Sequence, residues 1–535
     1  MDTRPNASNG TRQTVTGNQN PSTHSRSVER LFRCTVNPSD RSLVQQLVKD
    51  TEKELQSYDV EINKLMASLA SLRHKRDRTK KKLVQYRSLL SPIHRLPPEV
   101  LQRVFSMLNG FLVKPSPTNP AIAASSTCGR WRDIAISTPT LWASFAIDFA
   151  NWDGRYEALT SATRLFLDRS RTSQLELSLI FERRSLRRGE IPCLENLVQH
   201  SNRWREVILM NFTPHIAADS VFSSIKGRLP CLSKLAVLNS KARDEAGLRC
   251  DHFSICPALS SFTLYPGSAL SPSCPFPWTQ IRSFETGSGT GADVVESVSQ
   301  LPGLENLTIW ECSGADEDEH CVNSSVKHLS IAASNMEKAC GNFNYITFQC
   351  LSSLEISCSY DKRAETFDGS EEWDERQVSN FFARSACVVT SLSIRKISII
   401  DEQVLRFLGL MPALATLELE EHPVPHSNKM VTPHFLNKLT VDHQQPGRPF
   451  LPRLANIRFV LHSDESVMKV LPEVLASRYI PDADDASELG TACIKSVDIV
   501  LLKDNDGGVE ALTTKLGWLG EAGVRITVAE RVGAM

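Results

Sequence analysis

From residue 44 to residue 90 an apolar side chain returns every three or four positions. With Leu55 at heptad position a, residues Val48, Leu55, Ile62, Leu69, Leu83 and Leu90 fall at a, and Val44, Tyr58, Leu65, Leu72 and Tyr86 at d. Thr51, Arg76 and Thr79 are the exceptions. Two apolar positions in seven predict one long helix over 41–90 with a narrow seam. A seam that narrow is covered by another helix, either in a homodimer through residues 44–90 or with a partner helix; the alternative is a helix folded back on its own domain. Pro92 ends the run, since it lacks an amide donor and disfavours helical geometry at Ser91. Inside the helix lies the basic run Lys75-Arg76-Asp77-Arg78-Thr79-Lys80-Lys81-Lys82, which reads as an import signal, a polyanion contact or a solvated face. Residues 1–40 cannot bury enough apolar surface to offset ordering and read as a flexible tail.

The next segment changes pattern. Leu96-Pro97-Pro98-Glu99 starts a helix: proline is tolerated in the first turn, and Glu99 complements the positive end of the dipole. Val100, Leu101, Val104, Phe105 and Leu108 then form one broad apolar face. A proline-rich loop, residues 114–120, stops it. A second helix is predicted from about Ala121 to Ile136, with Cys128, Trp131, Ile134 and Ala135 on one side. Thr138-Pro139 closes it, and Leu141-Trp142 follows as an exposed-looking apolar pair. A unit of about 50 residues with so much apolar surface is too small to bury it all, so it is built to dock.

Downstream, one phrase recurs. Leu229-Pro-Cys-Leu232-x-x-Leu235-x-Val237 returns in versions ending at Leu264, Ile309, Leu419 and Phe459. Weaker versions end at Phe284, Ile331, Ile356, Ile394, Val441 (as Leu439-x-Val441) and Ile499. From Leu235 the anchors step by 27, 22, 23, 22 and 25 residues to Leu354. Each phrase predicts a short strand whose alternate residues point inward, preceded by an amphipathic helix. One such unit cannot cover its own apolar face, so neighbours must stack. The long steps, Leu354 to Leu392 and Ile457 to Val497, predict loops; the first includes the acidic stretch Asp361–Arg376, and Asp316–Glu319 adds a second, both read as solvated. Strand alternation turns Thr308, Trp310, Tyr265, Arg395, Glu418 and Glu420 outward. Aromatic and Arg side chains anchor protein interfaces, which singles out Tyr265, Trp310 and Arg395 as contacts for a bound protein, with Glu418 and Glu420 beside them.

Composition narrows the classes. The 535 residues suggest three or four domain-sized units. With 60 Lys plus Arg against 61 Asp plus Glu the formal charge is -1, so no global field draws the chain to a membrane or to nucleic acid, and neither partner is expected. No apolar run reaches the roughly 18 residues that suggest a membrane span, and the first residues lack the apolar core of a secretory signal, which points to the cytoplasm or nucleus. The 14 cysteines contain no Cys-x-x-Cys pair and the 13 histidines no ligand spacing, so no metal is expected. Gly287-Ser288-Gly289-Thr290-Gly291-Ala292 fits G-x-G-x-x-A after a predicted strand and before a helix. It also fits the repeat spacing, and that reading is preferred over nucleotide binding; no cofactor is expected.

Leu96-Pro97-x-Glu99-Val100-Leu101-x-x-Val104-Phe105-x-x-Leu108, followed by Cys128-x-x-Trp131-Arg132-Asp133-Ile134-Ala135 and Thr138-Pro139-x-Leu141-Trp142, closely resembles the F-box, in the version common among large families of fungal (basidiomycete-type) F-box and leucine-rich-repeat proteins. The repeats of about 170–530 resemble irregular leucine-rich repeats, with the usual terminal asparagine mostly missing. The resemblance implies an α+β multidomain chain: a tail over 1–40, a coiled-coil helix over 41–90, a small all-α F-box over 91–150, and an α/β solenoid with a curved parallel sheet over 151–535. It implies no enzyme but a substrate receptor of a Skp-cullin-F-box ubiquitin ligase. Leu96, Pro97, Val100, Leu101, Val104, Phe105 and Leu108 would meet the Skp adaptor and, through it, a cullin, while Cys128, Trp131, Leu141 and Trp142 support or extend that contact. The alternative is a non-ligase scaffold working through the coiled coil and the repeat surface.

Overall fold

The computed structural model describes residues 29–33, 35–107, 119–152, 154–183, 185–239, 251–265, 275–287, 289–312, 320–358, 375–397, 399–423, 429–444, 449–502 and 507–531. Two compact units result, Met1–Pro97 and Pro98–Met535.

The first unit is dominated by α1, Pro38–Leu89, a 52-residue helix. Pro38 occupies its first turn, and the Asn37 amide donates to the Asp40 carboxylate at 3.4 Å. The helix runs unbroken through the basic run and buries none of its side chains. Toward its start, Leu31, Phe32 and Val36 line an open groove with Val44, Leu47, Val48 and Leu55. A single tight turn, Pro92–Arg95, follows at the proline the sequence marks as the stop.

The second unit opens with α2 (Pro98–Met107), α3 (Pro120–Thr127) and α4 (Gly129–Ile136). The sequence predicts one helix over 121–136, but Cys128 is extended (φ -155°, ψ 170°) and divides it. Thr127 and Gly129, both poor helix formers, flank the break. Asn119 caps α3, accepting from the Ala121 amide at 2.8 Å, and Arg132 Nε of α4 donates to the Ser125 carbonyl at 2.9 Å, holding the two short helices together.

A 3-10 turn, Pro139–Trp142, leads into a sheet of 14 parallel strands. In chain order these are β1 Ser144–Asp148, β2 Leu175–Ile180, β3 Trp204–Met210, β4 Lys234–Leu238, β5 Ser261–Tyr265, β6 Ser283–Gly287, β7 Asn306–Trp310, β9 His328–Ala333, β11 Ser353–Cys358, β12 Ser391–Arg395, β13 Thr416–Glu420, β14 Asn456–Leu461, β15 Ser496–Leu501 and β16 Arg525–Glu530, while β8 (Cys321–Val322) and β10 (Ile346–Thr347) pair separately. Every main-sheet strand pairs with the previous main-sheet strand, so the topology is one unit repeated. The Leu-x-Leu anchors are in step: Leu307 aligns with Phe284 on one side and Leu329 on the other. These rows are buried under the helices, as where Phe435 of the helix Pro433–Leu439 meets Phe459 of β14 at 6.3 Å.

Two strand expectations change. Leu439-x-Val441 is not a strand: Thr432 accepts from the Phe435 amide at 3.1 Å and starts a helix that ends at Leu439, leaving Val441 as a buried loop residue. Conversely, β1, β2, β3 and β16 lack the Leu-Pro-x-Leu phrase yet join the sheet. β1 begins only two residues after Trp142, so the segment resembling an F-box packs into the same compact unit as the repeats. Of the acidic loops, residues 361–374 and 316–319 lie outside the described residues. No helix among the described residues is long and apolar enough to cross a membrane.

Arg478 is wholly buried, with Nε donating to the Leu439 carbonyl at 2.6 Å, Nη1 to Leu451 at 3.1 Å and Nη2 to Phe450 at 2.6 Å. Burial pulls its guanidinium down to about 10. This one side chain satisfies three carbonyls where the chain leaves the regular repeat spacing.

Candidate functional site

α2 is amphipathic in two directions. Leu101 and Phe105 turn inward and are buried, and Phe105 packs at 5.0 Å against Trp131 of α4, which is itself half-buried. On a neighbouring face Val100 and Val104 are each 42% exposed and Met107, one turn further, is 68% exposed. Spacing of four and three residues places these three on a single stripe. Met107 is the residue the sequence reading passed over; its spacing from Val100 and Val104 is the signal that would have found it.

The remaining residues of the F-box-like pattern sort differently. Leu141 and Trp142 are 1% and 0% exposed, not the exposed pair their sequence suggests. Trp142 Nε1 donates to the Ala135 carbonyl at 2.7 Å, its ring meets Phe166 of α5 (Tyr156–Ser170) edge-on at 5.3 Å, and the Arg169 guanidinium sits 4.3 Å from the ring centroid. Desolvation there lowers the Arg169 pKa. Both partners come from the repeat side of the unit, so the pair is spent on joining α4 to the sheet. Cys128 is half-buried at the break between α3 and α4. In the first unit, Leu96 is half-buried and Pro97 exposed. Leu108 lies outside the described residues.

The sheet face opposite the helices carries the other expected contacts. Tyr265 and Trp310 flank Gly287 across β5, β6 and β7. A Cβ on Gly287 would lie 2.3 Å from the Trp310 carbonyl oxygen, 2.6 Å from Trp310 Cβ and 2.9 Å from Tyr265 Cε1, so only glycine lets the β7 backbone and the Tyr265 ring approach β6 this closely. Burial, and after it the Glu285 carboxylate, raises the Tyr265 pKa. Trp310 Nε1 is buried without a hydrogen-bond partner, as are Ser393 Oγ and Arg395 Nε on the same face. Further along, Arg395 joins Glu355 and Glu418, each at 3.0 Å, and Arg458 joins Glu418 at 3.3 Å and Asp498 at 3.1 Å. The result is an alternating ladder across β11 to β15, and its bond to Glu418 raises the Arg395 pKa. Glu420 departs from its expected outward role: it is buried and paired with Arg531 at 2.6 Å. The face therefore divides into an aromatic part around Gly287 and a self-neutralised charged part.

The G-x-G-x-x-A turn is occupied by its own chain. Thr290 caps the helix Gly291–Ser299, and the Thr290 amide donates to the Asp293 carboxylate at 2.7 Å, placing an anion where a phosphate would have to sit. Among the described residues no group of three or more His, Cys, Asp or Glu could hold a metal ion.

Residues 93–148 match the F-box-like family. The match covers α2, α3, α4, the turn bearing Trp142 and β1. No curated protein matches the chain. An F-box-like domain of this kind supports an F-box protein, and F-box domains generally bind Skp-type adaptors.

Proposed function

We propose that the chain is the substrate-recognition subunit of a Skp-cullin-F-box ubiquitin ligase. The observation that carries this is the apolar stripe Val100, Val104 and Met107, left open on α2 inside the segment that matches the F-box-like family. The stripe docks the adaptor. The parallel sheet, read as an irregular leucine-rich-repeat solenoid, presents a client-binding face. Trp310, Tyr265 and Arg395 are its anchors, because aromatic and Arg side chains carry most of the binding at protein interfaces. The protein performs no bond chemistry on this reading: it raises the effective concentration of client lysines near a conjugating enzyme held elsewhere in the complex.

The test is co-purification of the intact chain with and without proteasome inhibition. The reading expects a Skp-type adaptor and a cullin in both samples, and proteins that accumulate only under inhibition. A chain that retains other proteins but never an adaptor supports the scaffold reading, which the exposed seam of α1 from Leu55 to Leu72 favours.

A further inference from the structure

We propose that α1 mediates an antiparallel homodimer, in the register that sets Ser68 against the partner's Ser68. This does not rest on the adaptor reading. Among the described residues the central seam side chains of α1 stay exposed: Leu55, Ile62, Leu65, Leu69 and Leu72 are 47–64% exposed. What decides the occupant is the charge beside the seam. With Leu55 at a, the flanking e and g positions of the first half hold Glu52, Glu54, Asp59 and Glu61, and those of the second half Arg73, Lys75, Lys80, Lys82 and Arg87. The helix is acidic along one half of its contact edge and basic along the other.

A parallel pair sets g against the e position five residues on. Glu54 would then face the partner's Asp59, Lys75 the partner's Lys80 and Lys82 the partner's Arg87, with Arg76 against the partner's Arg76 in the core. Reversing one helix sets g against g and e against e. In the Ser68 register Glu54 faces the partner's Lys82, Glu61 the partner's Lys75, Glu52 the partner's Lys80 and Asp59 the partner's Arg73. Each pair occurs twice by symmetry; the like-charge contacts of the parallel form give way to attractions, with only Arg87 set against a neutral side chain, the partner's Gln45.

The interruptions of the seam also resolve. Core layers now join a to d: Ile62 packs on the partner's Leu72 and Leu69 on the partner's Leu65. Leu55 meets the partner's Thr79 and Leu83 the partner's Thr51, so neither threonine faces its like. Arg76, already bonded to Asp77 at 2.9 Å, lies against the ring of the partner's Tyr58, where a cation is favoured. The open groove at Phe32 is lined along α1 from Val44 to Gln56, so it borders the outer layers, Glu52 and Leu55 included, and leaves those from Tyr58 to Arg76 clear. At 1.5 Å per residue, the two Leu90 ends are held about 70 Å apart.

The experiment is sedimentation of the full-length chain over a range of concentrations, with circular dichroism to confirm that each variant keeps its helix. Wild type is expected to dimerise at micromolar concentrations. Glu54→Lys with Glu61→Lys should weaken the dimer by roughly tenfold or more, as should Lys75→Glu with Lys82→Glu. An equimolar mixture of the two variants, or all four changes in one chain, should restore it. Leu65→Glu with Leu69→Glu should abolish it. A parallel dimer gives the opposite sign for Glu54→Lys, which would then face Asp59 and tighten. A wild type that stays monomeric at tens of micromolar, a dimer indifferent to the Leu65 and Leu69 changes, or failure of the mixture to re-associate would overturn the proposal.

Discussion

Trp142 meets Phe166 edge-on at 5.3 Å, and that contact ties the helices of the F-box-like segment to the first helix of the sheet unit. The indole N–H is also committed, to the Ala135 carbonyl. Trp142→Ala is therefore expected to destabilise the second unit by about 3–5 kcal/mol, the usual cost of deleting a buried aromatic. Trp142→Phe keeps most of the packing and leaves only the carbonyl unpaired, for about 1–3 kcal/mol. Urea denaturation of the two variants checks the order; equal effects would show that the bond, not the ring, carries the junction.

Gly287 is expected to tolerate no side chain. Gly287→Ala drives a methyl into the Trp310 backbone carbonyl and the Tyr265 ring, and should cost at least about 1–3 kcal/mol, as overpacking does. The same variant should raise the accessibility of Trp310 to a fluorescence quencher. Wild-type stability and unchanged quenching would mean that Trp310 and Tyr265 do not crowd the Gly287 position.

Asp464 provides a pH dependence. Hydrogen bonds from Lys429 and then Ser466 hold its carboxyl down, from 3.8 to about 2. The folded state therefore favours the ionised form, and the stabilisation is fully present above about pH 4 and lost as pH falls through about 2. Asp464→Asn keeps the cap on the helix Glu465–Ser477 but removes the ion pair with Lys429. The stability gap between wild type and variant should shrink between pH 4 and 2, as read by denaturant midpoints. A gap that stays constant across that window would contradict the assignment.

Trp310→Ala and Arg395→Ala are expected to reduce recovery of the proteins that accumulate under proteasome inhibition. Adaptor recovery should be unchanged, because these side chains sit on the sheet and not on α2. Quantitative mass spectrometry of both fractions from the same cells separates the two effects. Loss of adaptor in either variant would place the client face elsewhere.

Much of the architecture is legible in the residues because one physical rule repeats. Alternating Leu-x-Leu phrases fix both the strands and the buried rows, and the heptad run of α1 fixes the long helix. The rule fails where local chemistry outbids it: Thr432-Pro433 turns Leu439-x-Val441 into a helix end, and β1 and β3 enter the sheet on Phe145, Ile147, Val207 and Leu209 without the leading phrase. Site residues were harder to read than elements. An apolar pair such as Leu141-Trp142 has the same sequence whether it awaits a partner or closes an internal junction, and only the position of Phe166 and Arg169, some 25 residues on, decides between them. Glu420 shows the same limit, since its cover, Arg531, is 111 residues away.

The open side of α2 is expected to receive an adaptor. The direct measurement is calorimetric titration of the purified chain with a Skp-type adaptor, for wild type, Val100→Glu with Val104→Glu, and Trp310→Ala. The account predicts saturable binding by wild type and Trp310→Ala, and loss of binding by the Val100 and Val104 variant at unchanged unfolding midpoint. Binding that survives both glutamates, or a folded wild type that never binds, would contradict it.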